Sequence, residues 1–144
     1  MTRKNGKSIV ISDTSIKKSN EISMTKLNKG LTLNQMQLLS YAIFSTQKNG
    51  ATVFHKAEFE KQFNIDEYRT NHARIDSEKL LDLKVSTLDL ANDCFEFLNV
   101  FTRMTYRKGT FVFEWNTNFL PHILDLKERY IINDLTVTAK FKSS

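Results

Sequence analysis

A change of hydrophobic period near Lys84 limits what this chain can become. Upstream of it, apolar residues recur at helical spacing. "LTLNQMQLLSYAIFST" sets Leu31, Gln35, Leu38, Leu39, Ala42 and Ile43 along one stripe, with Thr32 or Asn34 available as N-cap. Asn49-Gly50 is expected to stop that helix by supplying a positive φ, and "ATVF" reads as a short strand. "KAEFEKQFNI" predicts a second short helix with Phe59, Phe63 and Ile65 inward. A third helix follows after a very short turn in "DEYRTNHARIDSEKLLDL", whose Tyr68, His72, Ile75, Leu80 and Leu83 lie near one face.

Downstream, "KVSTLDL" alternates Val85, Thr87 and Asp89 against Ser86, Leu88 and Leu90. "FEFLNVFTRMTY" and "TFVFEW" are rich in aromatic and β-branched residues, the composition of strands. Arg107-Lys108-Gly109-Thr110 joins them, with the glycine as the positive-φ residue of a tight turn. Helix returns over Asn118 to Leu126, where Pro121 fits a first turn, and "RYIINDLTVTAKF" has strand-like composition. Helix, strand, helix, helix, hairpin, helix is the order of an α+β winged helix, in which a β-hairpin wing flanks a three-helix core.

With 144 residues, 40% of them hydrophobic, the chain is long enough for one buried core. The expected division is a basic flexible arm over 1–29 and a winged-helix domain over 30–144. Of 21 basic and 16 acidic residues, the arm holds seven and two, so the domain holds fourteen of each and is neutral overall. A Lys-rich arm is either attracted to polyanions or simply solubilising. The single cysteine forms no internal disulfide, no apolar run approaches the roughly 18 residues that cross a bilayer, and the first residues are polar where a secretory signal is apolar. The expected setting is cytoplasmic, without membrane contact.

Enzyme signatures are missing. Neither a phosphate loop of the GxxxxGK[ST] or GxGxxG type nor a GxSxG elbow occurs. Glu58 with Glu60, and Asp76 with Glu78, read as ordinary charges on solvated helix faces, and Cys94 as a buried structural thiol with no base beside it. His55, His72 and His122 are separated by whole elements. The chain is therefore expected to be non-enzymatic, with no catalytic residue, metal or cofactor; a small hydrolase built on Cys94 or a carboxylate pair is the least favoured reading.

Two basic groups suit nucleic acid. The third helix offers Arg69, Asn71, Arg74 and Lys79, types that reach phosphates or base edges from a major groove, although Glu67, Asp76 and Glu78 stand near enough to pair with the arginines. At the hairpin, Arg103, Arg107 and Lys108 face only Glu114 and fit a wing on the sugar-phosphate backbone. The hairpin also reads as apolar on both faces, with Leu98, Val100 and Met104 on one, Phe97 and Phe101 on the other, and Phe111, Phe113 and Trp115 returning. Such a sheet needs cover twice over, so Val100 and Phe113 are the expected dimerisation residues.

"FVFEWNTNFLPHILDLKERYIINDLTVTAKFKSS" resembles the aromatic strand, FLPxIL helix and Lys-Ser junction of theta-type plasmid replication initiators, the Rep proteins of the RepA/RepB/RepE class, and "LTLNQMQLLSYAIF" is similar to their first core helix. The likeness runs from Leu31 to Ser144. It implies the N-terminal winged helix of an initiator, a module that supports dimerisation and makes auxiliary backbone contacts at origin repeats, with double-stranded DNA, a second copy and host replication proteins as partners. In that family a linking helix and a second winged helix follow; the expectation is of the first winged helix alone, without origin melting or helicase loading by this polypeptide by itself. The alternative is a winged-helix protein-interaction module that does not bind DNA.

Overall fold

Helix α2 (Leu33–Ser45) begins where a capping box makes it begin. The Thr32 hydroxyl accepts the Gln35 N–H at 3.2 Å, and the Gln35 side chain accepts the Thr32 N–H at 3.0 Å, so two otherwise orphaned donors are satisfied together. In this computed structural model, which describes residues 24–131, α2 follows a single turn, α1 (Met24–Leu27), and precedes β1 (Thr52–His55), α3 (Lys56–Phe63) and α4 (Thr70–Leu81). Then come β2 (Lys84–Asp89), β3 (Cys94–Asn99), β4 (Phe101–Arg107), β5 (Thr110–Trp115), α5 (Leu120–Leu126) and a wide final turn, Lys127–Ile131. The fold is a mixture of helices and small antiparallel sheets.

The strands form two separate sheets. β5 lies between β1 and β4, with Phe54 opposite Phe111 and Met104 opposite Phe113. The inner face of this sheet carries Phe54, Phe111, Phe113 and Trp115, all buried against α2, α3 and α4. Their rings pack edge-on or stacked: Phe54 and Phe111 centroids are 5.0 Å apart, Phe101 and Trp115 4.2 Å. The outer face carries Arg103, Thr105 and Arg107 on β4, which alternate with the inward Met104 and Tyr106. Among the described residues β2 and β3 pair only with each other, Leu88 opposite Phe95 and Ser86 opposite Phe97.

That split corrects the expected hairpin. "FEFLNVFTRMTY" is not one strand but the end of one ribbon and the start of the other sheet. The break is at Val100, whose N–H donates to Leu83 O at 3.1 Å while its carbonyl accepts the Asn116 N–H at 2.9 Å. The alternation restarts there, so Phe97 and Phe101 do not share a face, and the outer side of the three-stranded sheet is mostly polar, with Val53 and Val112 set among Arg103, Thr105, Arg107 and Glu114. Val100 is 0% exposed and Phe113 1%. Both belong to the core of a single chain, and neither offers a surface to a second one.

Three further expectations change. The helix before Asn49-Gly50 ends earlier, at Ser45, because Thr46 and Thr52 are drawn together: their hydroxyls lie 2.7 Å apart and Trp115 Nε1–H donates to both, at 3.0 and 2.8 Å. On α4 the buried stripe is Ala73, Asp76 and Leu80, while His72 and Ile75 face outward. Asp76 is thus an interior residue rather than a solvated one. The arm ends sooner than expected, since Leu27 is 1% exposed and Met24 packs on the core. The rest of the arm, and "RYIINDLTVTAKF" from Ile132 onward, lie outside the described residues.

Candidate nucleic-acid interface

The tip of the β4–β5 hairpin is held by backbone demands. Lys108 and Gly109 both have left-handed φ, 49° and 88°, as a two-residue turn of this hand requires. Glycine is needed for a second reason: a Cβ at 109 would stand 2.6 Å from His55 Nε2. The Gly109 carbonyl accepts the Lys56 N–H at 2.7 Å, which ties the tip to the junction of β1 and α3. That junction is itself fixed, because His55 Nδ1 accepts the Ala57 N–H and Glu58 accepts the His55 N–H, each at 3.0 Å.

The start of α4 is brought to the same place. Glu60 accepts the Tyr68 N–H at 2.6 Å, and Lys56 Nζ donates to the Tyr68 carbonyl at 3.2 Å. Behind it the Tyr68 hydroxyl donates to Asp76 Oδ2 at 2.5 Å, and Gln35 Nε2 donates to Oδ1 at 3.1 Å, so α2, the turn and α4 are pinned around one buried carboxylate. Burial first, and the Asp76 hydrogen bond second, push the Tyr68 hydroxyl far above the ordinary tyrosine range, which keeps it a donor.

The sequence candidates lie at the start of α4 and at the hairpin tip, with Lys79 and Arg103 farther along their elements. Arg69 is the N-cap of α4 and makes no side-chain cap bond; its Nε stands 3.7 Å from Glu67. Arg74 bonds Asn71 Oδ1 at 3.2 and 3.3 Å and stands 3.6 Å from Glu78. These pairs are exposed and cost little to open, so they blunt the local field without locking the arginines away. Arg107 and Lys108 are exposed at the hairpin tip, and Lys108 meets the start of α4 across a shallow cavity that also borders His55, Lys56, Thr70, Tyr106 and Gly109. Lys79 sits in the last turn of α4, about 15 Å from Arg69 by helical rise. Arg103 lies about 13 Å down β4 from Arg107, opposite Glu114.

His55, Lys56 and Thr70 carry no local signal of a role, since each belongs to a different element and only folding assembles them. Cys94 is exposed at the start of β3 and not in a disulfide, rather than the buried thiol expected. Among the described residues no cluster of three or more His, Cys, Asp or Glu side chains is placed to hold a metal ion, and no helix is long and apolar enough to cross a membrane.

Residues 15–144 match the model of a family described as "Initiator Replication protein, WH1". The chain belongs to this family of replication initiators. No curated protein matches it. The initiator match covers every described residue and so includes the hairpin, α4 and the ribbon alike.

Proposed function

We propose that this initiator domain is a winged helix that binds duplex DNA at origin repeats, non-enzymatically, in the cytoplasm, with α4 as recognition helix and the β4–β5 hairpin as wing. The observation that carries the reading is the meeting of the basic hairpin tip with the first residue of α4 across a cavity bordered by His55, Lys56, Thr70, Tyr106, Lys108 and Gly109. Arg103, Arg107 and Lys108 are exposed and form no ion pair among the described residues, which suits contacts to phosphate. Arg69, Asn71, Arg74 and Lys79 supply the helix side.

Self-association, with a second copy as partner, moves from Val100 and Phe113 to the β2–β3 ribbon. Leu90, Phe95 and Phe97 are 71%, 64% and 56% exposed there, and the outer strand edges are unpaired among the described residues. The same ribbon supports the second reading, a protein-docking module without DNA, and a dock for host replication proteins.

The test compares repeat-bearing with random duplex. Replacing Arg107 by Gln weakens both in parallel, as loss of a phosphate contact should. Replacing Asn71 by Ala costs on the order of 1–3 kcal/mol on the repeats and little on random DNA if α4 reads bases. Undiminished binding in both variants would leave the docking module as the better account.

A further inference from the structure

We propose that the cavity between the hairpin tip and the start of α4 is a seat for one phosphodiester group of the duplex backbone, shared by Lys56 and Lys108. The inference rests on the DNA-binding reading above and assigns a place and new residues to it. The cavity, of about 430 Å³, is bordered by His55, Lys56, Thr70, Tyr106, Lys108 and Gly109, with no carboxylate among them.

Its chemistry is that of an oxyanion site. The Lys56 ammonium spends one donor on the Tyr68 carbonyl and keeps two. Lys108 is exposed and unpaired among the described residues. His55 Nδ1 accepts the Ala57 N–H, so the proton of the neutral ring is on Nε2, which lies on the side of Gly109. Thr70 and Tyr106 add hydroxyls that can donate. The acidic residues nearest in sequence are engaged elsewhere: Glu58 by the His55 N–H, Glu60 by the Tyr68 N–H, Glu67 by Arg69.

The seat is also rigid. The bond from Lys56 N–H to Gly109 O and the close approach of Gly109 to the His55 ring hold the two lysine-bearing segments in fixed relation. A phosphate between them would set the angle at which the wing and α4 meet the duplex, a positioning role rather than a sequence-reading one.

The experiment measures the salt dependence of binding to random-sequence duplex for wild type, the double variant Lys56→Gln/Lys108→Asn, and Arg103→Gln. Asparagine is chosen at 108 because it tolerates the left-handed φ there. Two lysines on one phosphate release the counterions of one contact, so the double variant should lower the magnitude of the slope by about 0.9. A fall of about 1.8 would mean two separate phosphates, and no fall would mean none; either overturns the seat. Lys56→Arg retains the charge and should keep the wild-type slope, which separates loss of a contact from loss of fold. A normal fall for Arg103→Gln beside an unchanged double variant would sink the seat and leave the DNA reading standing, whereas a wild type with no slope at all would sink the DNA reading. Titration with inorganic phosphate, followed through the Thr70 and Gly109 amide resonances, distinguishes the sources. Duplex should displace the free ion; free phosphate that binds saturably and is not displaced would overturn the backbone assignment.

Discussion

Replacing Tyr68 by Phe deletes one oxygen from the inside of the domain and leaves the ring where it is. That ring packs on Phe59 and Phe111, with centroids 5.0 and 6.3 Å away, and the residue is 1% exposed, so packing should survive the change. What is lost is the bond to Asp76 Oδ2, in a place where Asp76 is only 7% exposed and has no cation as partner among the described residues. A hydrogen bond to a charged group contributes about 1.5–3 kcal/mol, and water has little access to replace it. The expected loss of stability is about 2 kcal/mol by urea denaturation followed by circular dichroism, or a fall in Tm of about 7 °C at the scale expected for a chain of this length. Adding Asp76→Asn should return part of the loss, because the orphaned oxygen then no longer belongs to a carboxylate. The wild type should also lose stability as pH rises past 10, since the unfolded tyrosine ionises there while the folded one is held protonated; the Phe variant should show less of this, with Tyr41 supplying the remainder. A loss below about 0.5 kcal/mol would refute the reasoning, because Asp76 would then have to be satisfied by water and not by the clamp.

Phe113→Ala should cost about 3–5 kcal/mol as a core truncation, whereas Phe97→Ser should leave the melting curve almost unchanged and lower any self-association seen by light scattering. Burial holds the His122 imidazole below its ordinary value despite an opposing pull from Asp125, so stability should fall as pH drops through and below 6.5, and His122→Asn should flatten that part of the profile. Gly109→Ala should destabilise by more than about 1 kcal/mol, as both the positive φ and the His55 ring oppose a Cβ, and amide shifts at the hairpin tip should report the displacement.

What the sequence disclosed was whatever local period and turn chemistry encode. The α2 stripe and its Thr32 cap are local, and so is the Lys108-Gly109 turn, whose basic residues were legible as a candidate contact. The break at Val100 was not, because no glycine or proline marks it; its cause is a pair of backbone bonds to Leu83 and Asn116, distant in sequence. The early stop of α2 has the same origin, in a bond network that reaches from Thr46 to Trp115. Asp76 defeated the pattern rule that places charges outside, since its donors come from Gln35 and Tyr68. The cavity was hidden for a similar reason: His55 ends a strand, Lys56 starts one helix and Thr70 another.

The salt dependence of the intact chain's affinity for duplex carrying tandem origin repeats tests whether this face meets DNA. Arg103, Arg107 and the shared lysine seat account for three phosphates, and Arg69, Arg74 and Lys79 for up to three more if they do not read bases. The account therefore predicts a slope of log K against log salt between about −2.7 and −5.4. A slope near zero, or no binding at low salt, would contradict it.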